Sequence, residues 1–96
     1  MSDVVAEAVA ALNAKLGGAG FDGSAKFDIE GEGSIIIDQN GAHASEDDAD
    51  VTLTATTETF KAILDGEMNP TTAFMTGKLG VDGDMGQAMK LAGVLS

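Results

Sequence analysis

Apolar side chains recur along this chain at two different periods, and the points where the period changes divide it into elements. Val5, Val9, Leu12 and Leu16 follow the i, i+4, i+7, i+11 spacing of one helical face, which predicts an amphipathic helix with a narrow apolar stripe. Ser2 or Asp3 can cap its start, and Gly17-Gly18 ends it. The period then shortens to two. Ala25, Phe27 and Ile29 alternate with Lys26, Asp28 and Glu30, which sends the apolar set to one face of a sheet. Ser34–Asp38, with three consecutive isoleucines, is a more fully apolar β-branched strand. Asn40-Gly41 is a strong hairpin dipeptide, read here with both residues at positive φ, and Ala42–Ser45 follows as the return strand. After the acidic turn at Glu46, Asp47 and Asp48, Val51, Leu53 and Ala55 alternate with threonines as a half-buried fourth strand. Consecutive strands with hairpin-type connections predict an antiparallel meander.

Helical spacing returns in the second half. Thr57 is the expected cap of a helix through Phe60, Ile63 and Leu64, closed by Gly66. Pro70 suits the first turn of a short helix carrying Ala73, Phe74 and Met75, with Gly77 at its end. Leu79 and Val81 alternate within Lys78–Asp82, a fifth strand, and Asp82 and Asp84 flank Gly83 as turn and cap residues. In the last helix Met85, Ala88, Met89, Ala92 and Leu95 share a face. The order is α-β-β-β-β-α-α-β-α. It predicts one α+β domain over residues 1–96, with helices against one face of a five-stranded, mostly antiparallel sheet.

Composition removes several function classes. Five lysines, no arginine and 16 acidic residues give a formal net charge of −11, so nucleic-acid backbones and anionic lipid surfaces are repelled. The 96 residues contain no cysteine, which rules out disulfides, thiolate metal sites and thiol catalysis and suits a reducing cytoplasm. No apolar run approaches the roughly 20 residues that span a bilayer, so no stable membrane insertion is expected. The N-terminal stretch lacks the basic start of a secretory signal, and Val94-Leu95-Ser96 is not of the Ser-Lys-Leu type. Cytoplasmic residence is the expectation.

Candidate chemistry is sparse. Gly17-Gly18-Ala19-Gly20 follows a helix and precedes Phe21, so it is a connector and not a strand-to-helix dinucleotide loop. His43, the only histidine, stands in a hairpin strand with no nucleophile to serve, so no catalytic residue is assigned. The acidic segment Glu46–Asp50 lacks the ligand spacing and glycine of a calcium loop, and neither a metal nor a cofactor is expected. Met68, Met75, Met85 and Met89 all fall in the last third of the chain. Methionine adapts to varied apolar shapes, but periodicity does not separate a filled core from a lined cavity.

An ordered set of longer motifs bears on that question. Gly66-Glu67-Met68-Asn69-Pro70, Ala73-Phe74, Gly77-Lys78-Leu79, Gly83-Asp84-Met85-Gly86 and Ala88-Met89-Lys90-Leu91 follow one another. Upstream stand Ile36-Ile37-Asp38-Gln39-Asn40-Gly41 and Ala49-Asp50-Val51-Thr52-Leu53-Thr54. In this order, and over most of the chain from Phe27 on, they resemble the type-two sterol carrier protein family. The resemblance implies a five-stranded sheet with a hydrophobic tunnel between sheet and helices, which takes fatty acids, acyl thioesters or sterols. It nominates Phe60, Leu64, Phe74, Met75, Met85 and Met89 as lining, with Ile35, Ile37, Val51 and Leu53 beside them.

It also implies a lipid ligand held without catalysis. The chain departs from the family pattern at Glu67 and Gly80, where lysine is common, at Asp84, where asparagine is usual, and in the second strand, where isoleucine replaces an aromatic. Those departures argue for weak, transient contact with anionic membranes at most. Two other readings stay open at this point. One is a protein-interaction module that keeps the fold with its tunnel filled, and the other is a small acyl-directed enzyme.

Overall fold

The computed structural model describes residues 3–17 and 20–95. The elements are α1 (Asp3–Leu16), β1 (Ala25–Ile29), β2 (Gly33–Asp38), β3 (Gly41–Ala44), β4 (Val51–Ala55), α2 (Thr57–Leu64), α3 (Pro70–Met75), β5 (Leu79–Gly83) and α4 (Met85–Leu95). Their order is the one that the alternation of periods predicts. The expected cap at Ser2 and the glycine at position 18 lie outside the described residues.

The five strands form one sheet in the order β3-β2-β1-β4-β5. β1 is antiparallel to β2, β2 to β3 and β4 to β5, so the sheet is mostly antiparallel. The predicted meander is wrong at one joint: β4 does not follow β3 in space but pairs with β1 in parallel, Phe27 opposite Leu53. Two physical reasons stand behind this. β4 buries Val51, Leu53 and Ala55 and belongs in the middle of the sheet. The free edge of β3 is already taken, because the Asn13 side chain of α1 accepts from the Ala42 N–H at 2.9 Å and donates to the Ala42 carbonyl at 3.0 Å. A side-chain amide thereby closes an edge that would otherwise pair with another strand.

The acidic segment Ser45–Asp50 is accordingly a crossing and not a turn. It must span three strand spacings, about 14 Å, and six extended residues reach about 20 Å. It runs on the outer face of the sheet, where the Lys26 ammonium donates to the Glu46 carbonyl at 3.2 Å. Ile36 points to this outer face and is still only 5% exposed.

The hairpin between β2 and β3 also differs from expectation. Asp38 pairs with Gly41, so the turn residues are Gln39 and Asn40. No residue other than glycine has positive φ among the described residues, and the left-handed position falls on Gly41 alone, at φ 96°. The Asp38 carboxylate holds the Asn40 N–H at 2.9 Å, a local turn that keeps Asn40 at negative φ. Gly41 serves a second purpose, since a Cβ there would lie 2.6 Å from Asn13 Oδ1. Smaller corrections follow the same logic. Thr56, not Thr57, caps α2 by accepting from Thr59 N, and Asp82 is a strand residue of β5 opposite Thr52. Asp84 does cap α4, accepting from the N–H groups of Gly86 and Gln87.

The helices cover the face of the sheet that carries Ala25, Phe27, Ile29, Ile35, Ile37, Val51 and Leu53. At its centre the Phe27 and Phe60 rings stand 4.7 Å apart, tilted by 60°. α1 seals the β3 side through Val5, Ala8 and Leu12, and α4 lays Ala88, Leu91 and Leu95 on the opposite side. Asn13→Ala should destabilise the protein by about 1–2 kcal/mol, because both polar groups of Ala42 lose their partner. Urea unfolding read by far-ultraviolet circular dichroism checks this, and an unchanged midpoint would mean that the amide clamp contributes nothing.

Candidate functional site

The space between sheet and helices is filled at its centre and open at one end. α3 begins at Asn69, whose side chain accepts from Thr71 N at 2.8 Å and Thr72 N at 3.4 Å, with Pro70 in the first turn. Gly77, at φ 80°, ends it. The helix turns only small side chains inward: Pro70 and Ala73 are buried, while Phe74 and Met75 are left outside. On α4 the arc next to the buried Leu91 and Leu95 carries Met85, Ala88, Met89 and Ala92. Ala88 and Ala92 place methyl groups where Leu91 and Leu95 place isobutyl groups, and that difference leaves room.

The result is a groove with Leu53, Leu79 and Val81 as its floor, α3 residues Pro70, Thr71 and Phe74 on one side, and α4 residues Met85, Ala88, Met89, Ala92 and Leu95 on the other. Thr71 is the only lining residue with a polar side chain. The cavity volume is about 40 Å³, room for about three waters at roughly 10–15 Å³ each. No acyl chain fits that space without widening.

Four of the nominated residues line this groove: Leu53, Phe74, Met85 and Met89. Met75, the last residue of α3, is 79% exposed and is not part of the lining. Phe60, Ile35, Ile37 and Val51 are packed within the central core, and Leu64 lies half-buried beside Phe60 in a separate hollow against α1. Sequence reading missed Pro70, Thr71, Leu79, Val81, Ala88, Ala92 and Leu95 as lining. Alternation did place Leu79 and Val81 on one strand face, and the i, i+4 pair of alanines was the available signal for space between helices.

The exposed large apolar side chains among the described residues are Phe74 (43%), Met75 (79%), Met85 (47%) and Met89 (61%); all belong to α3 and α4, and three of them, Phe74, Met85 and Met89, line this groove. The nearby ion pair, Lys90 Nζ to Asp22 Oδ2 at 3.4 Å, is solvent-exposed and contributes little to stability. His43 lies exposed on β3, at the far edge of the sheet from the groove. Among the described residues no group of three His, Cys, Asp or Glu side chains is arranged to hold a metal ion, and no helix is long and apolar enough to cross a membrane.

The sequence profile of the SCP-2 sterol transfer family matches residues 5–96. Sterol carrier protein 2 of Gallus gallus is 38% identical over 84 residues, which is 86% of this chain and 14% of that protein. The chain therefore spans about one-seventh of the length of this much longer relative. The crystal structure of sterol carrier protein 2 like 2 from Aedes aegypti superposes with a TM-score of 0.79 at 25% identity, covering 95% of each chain. The solution structure of Aedes aegypti sterol carrier protein 2, a complex with palmitate, gives 0.76 at 23% identity over 100% of this chain and 97% of that one.

The groove residues should be separable from the core by stability. Phe60→Ala removes a fully buried ring and should destabilise by about 3–5 kcal/mol. Met85→Ala or Met89→Ala should stay within about 0.5 kcal/mol of the parent, because solvent already reaches both side chains. Denaturant midpoints for the three variants decide it, and a large loss at either methionine would make the rim part of the core.

Proposed function

The chain belongs to the SCP-2 sterol transfer family, and from that premise we propose that it binds a lipid by taking the apolar chain into the groove between β4–β5 and helices α3–α4. The observation that carries the reading is that three of the four exposed large apolar side chains, Phe74, Met85 and Met89, line one apolar groove. A contiguous apolar surface left in water marks a place where something apolar belongs. A solved protein of the same fold holds palmitate, which suits an acyl chain as ligand.

Binding in this reading is passive. Each buried methylene contributes about 0.8 kcal/mol, so about ten contribute near 8 kcal/mol before ordering costs, the scale of a micromolar affinity. The groove widens at its outer wall, where Met85 and Met89 are unconstrained by packing and α3 is a helix of only 6 residues. The central contact of Phe27 with Phe60 stays in place. We therefore assign Leu53, Phe74, Met85 and Met89 to the ligand, together with Leu79, Val81, Ala88 and Ala92, and Met75 to the entrance. Phe60, Leu64, Ile35, Ile37 and Val51 act as scaffold. With Thr71 as the only polar side chain of the lining, selectivity rests on shape and is loose.

The bound lipid leaves chemically unchanged, since an apolar wall and a distant His43 offer no base beside a nucleophile. Residues 1–96 act as one lipid-binding unit, and the absence of cysteine suits work in the cytoplasm. A second reading is favoured by the small free volume of about 40 Å³: the fold persists with its interior filled and binds a protein partner instead.

Uptake of a fluorescent fatty acid from aqueous solution by delipidated protein separates the two readings. We expect one-to-one binding near micromolar affinity, an acyl thioester recovered intact from the same assay, and at least about tenfold weaker uptake by Ala92→Phe, whose ring fills the groove. The unfolding midpoint of that variant reports separately on folding. Parent protein that takes up no lipid would sink the proposal and leave the interaction module.

A further inference from the structure

We propose that the thioethers of Met85 and Met89 are oxidation sites, and that their conversion to sulfoxide by a hydroperoxide switches off lipid uptake by the groove. The inference rests on the lipid-binding reading and adds to it the regulation of the same site. The chain has five methionines and no cysteine, so thioethers are its only side-chain sulfur. Their surroundings differ. Met68 is half-buried and packs against the core, whereas Met75, Met85 and Met89 are 79%, 47% and 61% exposed. Met85 and Met89 belong to the groove lining and Met75 does not. Their i, i+4 spacing on α4 sets both on one wall.

Oxygen transfer to these side chains needs neither a base nor a metal. A sulfur lone pair attacks one oxygen of the hydroperoxide, and the S–O bond forms as the O–O bond breaks. The other oxygen takes the proton and leaves as water or an alcohol. The sulfur is oxidised by two electrons and the peroxide is reduced by two. A flexible apolar side chain thereby becomes a polar one. In the empty groove solvent satisfies the new oxygen, because it already reaches both side chains, and the fold is retained. In the occupied groove the oxygen faces an acyl chain, and Thr71 is the only polar side chain of the lining. Burying a polar group without a partner weakens binding by about tenfold for each sulfoxide. Turning the oxygen out to solvent instead withdraws the methionine from the wall, and the ligand loses that contact.

Treatment with hydrogen peroxide tests the proposal, with peptide mass spectrometry, uptake of a fluorescent fatty acid and the unfolding midpoint read on the same samples. Met75, Met85 and Met89 should each gain one oxygen before Met68 does. Uptake should weaken at least about tenfold as Met85 and Met89 are modified, at an unchanged unfolding midpoint. Methionine sulfoxide reductases acting on both sulfoxide epimers should restore it. Met75→Leu should lose affinity on treatment as the parent does. The double variant Met85→Leu/Met89→Leu should show the same affinity before and after treatment. Full modification of both residues with uptake unchanged overturns the proposal. So does a loss that persists in the double variant, or one that tracks a lowered unfolding midpoint. Untreated protein that takes up no lipid instead brings down the lipid-binding reading, and this proposal with it.

Discussion

The contact of Phe27 with Phe60 occupies the middle of the only sheet face that the helices cover, and the placement of the groove follows from it. Phe27 sits on β1, the central strand of five, and Phe60 on the helix that crosses above it. Both rings are wholly buried, with Ile63 and Leu91 packed into the same cluster. A chain of 96 residues has no second core with which to stabilise itself. Emptying this centre would remove several kcal/mol from a total stability that is typically about 5–15 kcal/mol. Space for a ligand therefore has to come from the periphery, where side chains are already half in water and their displacement costs little.

The two ends of the sheet meet that constraint in opposite ways. At the β3 end, α1 buries Val5, Ala8 and Leu12 and its Asn13 amide takes both backbone groups of Ala42. At the β5 end, α3 is short, turns Pro70 and Ala73 inward, and leaves Phe74 and Met75 uncovered. α4 splits its apolar arc in the same sense, with Leu91 and Leu95 in the core and Met85 and Met89 beside the groove. The apolar surface that a larger domain would have covered with another element remains open here. Flexible methionines suit such a surface because they adapt to an occupant and tolerate its absence.

How much of this was legible in the sequence depends on the range of the interaction. The helices and strands follow from local period and from caps such as Asp84, and all nine elements stand in the predicted order. Asn40-Gly41 misled because the dipeptide does not show that the Asp38 carboxylate holds Asn40 at negative φ, which shifts the turn by one residue. The parallel pairing of β4 with β1 was hidden for a deeper reason: it joins residues about twenty-six positions apart, such as Phe27 and Leu53, across a crossing that local pattern does not distinguish from a turn. At the candidate site, Met85 and Met89 were readable from their type and their i, i+4 spacing. Ala88 and Ala92 were not, because a small side chain makes space only relative to neighbours that the sequence does not place. The motif resemblance pointed to the layer between sheet and helices, and the apolar groove lies at the α3–α4 end of that layer.

The acidity and the uncovered apolar rim, odd when taken separately, make sense together. An exposed cluster of Phe74, Met75, Met85 and Met89 would ordinarily draw copies of the protein into contact, since association buries such surface. A net charge of −11 on each copy opposes that approach, and the repulsion acts within about 8 Å at physiological salt, the range at which two rims would meet. The groove mouth carries little charge: α3 and α4 contribute only Lys90, and the carboxylate of the capping Asp84 accepts from the Gly86 and Gln87 N–H groups. Charge kept off the rim but concentrated on the rest of the surface discourages self-association without obstructing an uncharged occupant. The same separation explains how a small domain tolerates four exposed apolar side chains without having to bury them.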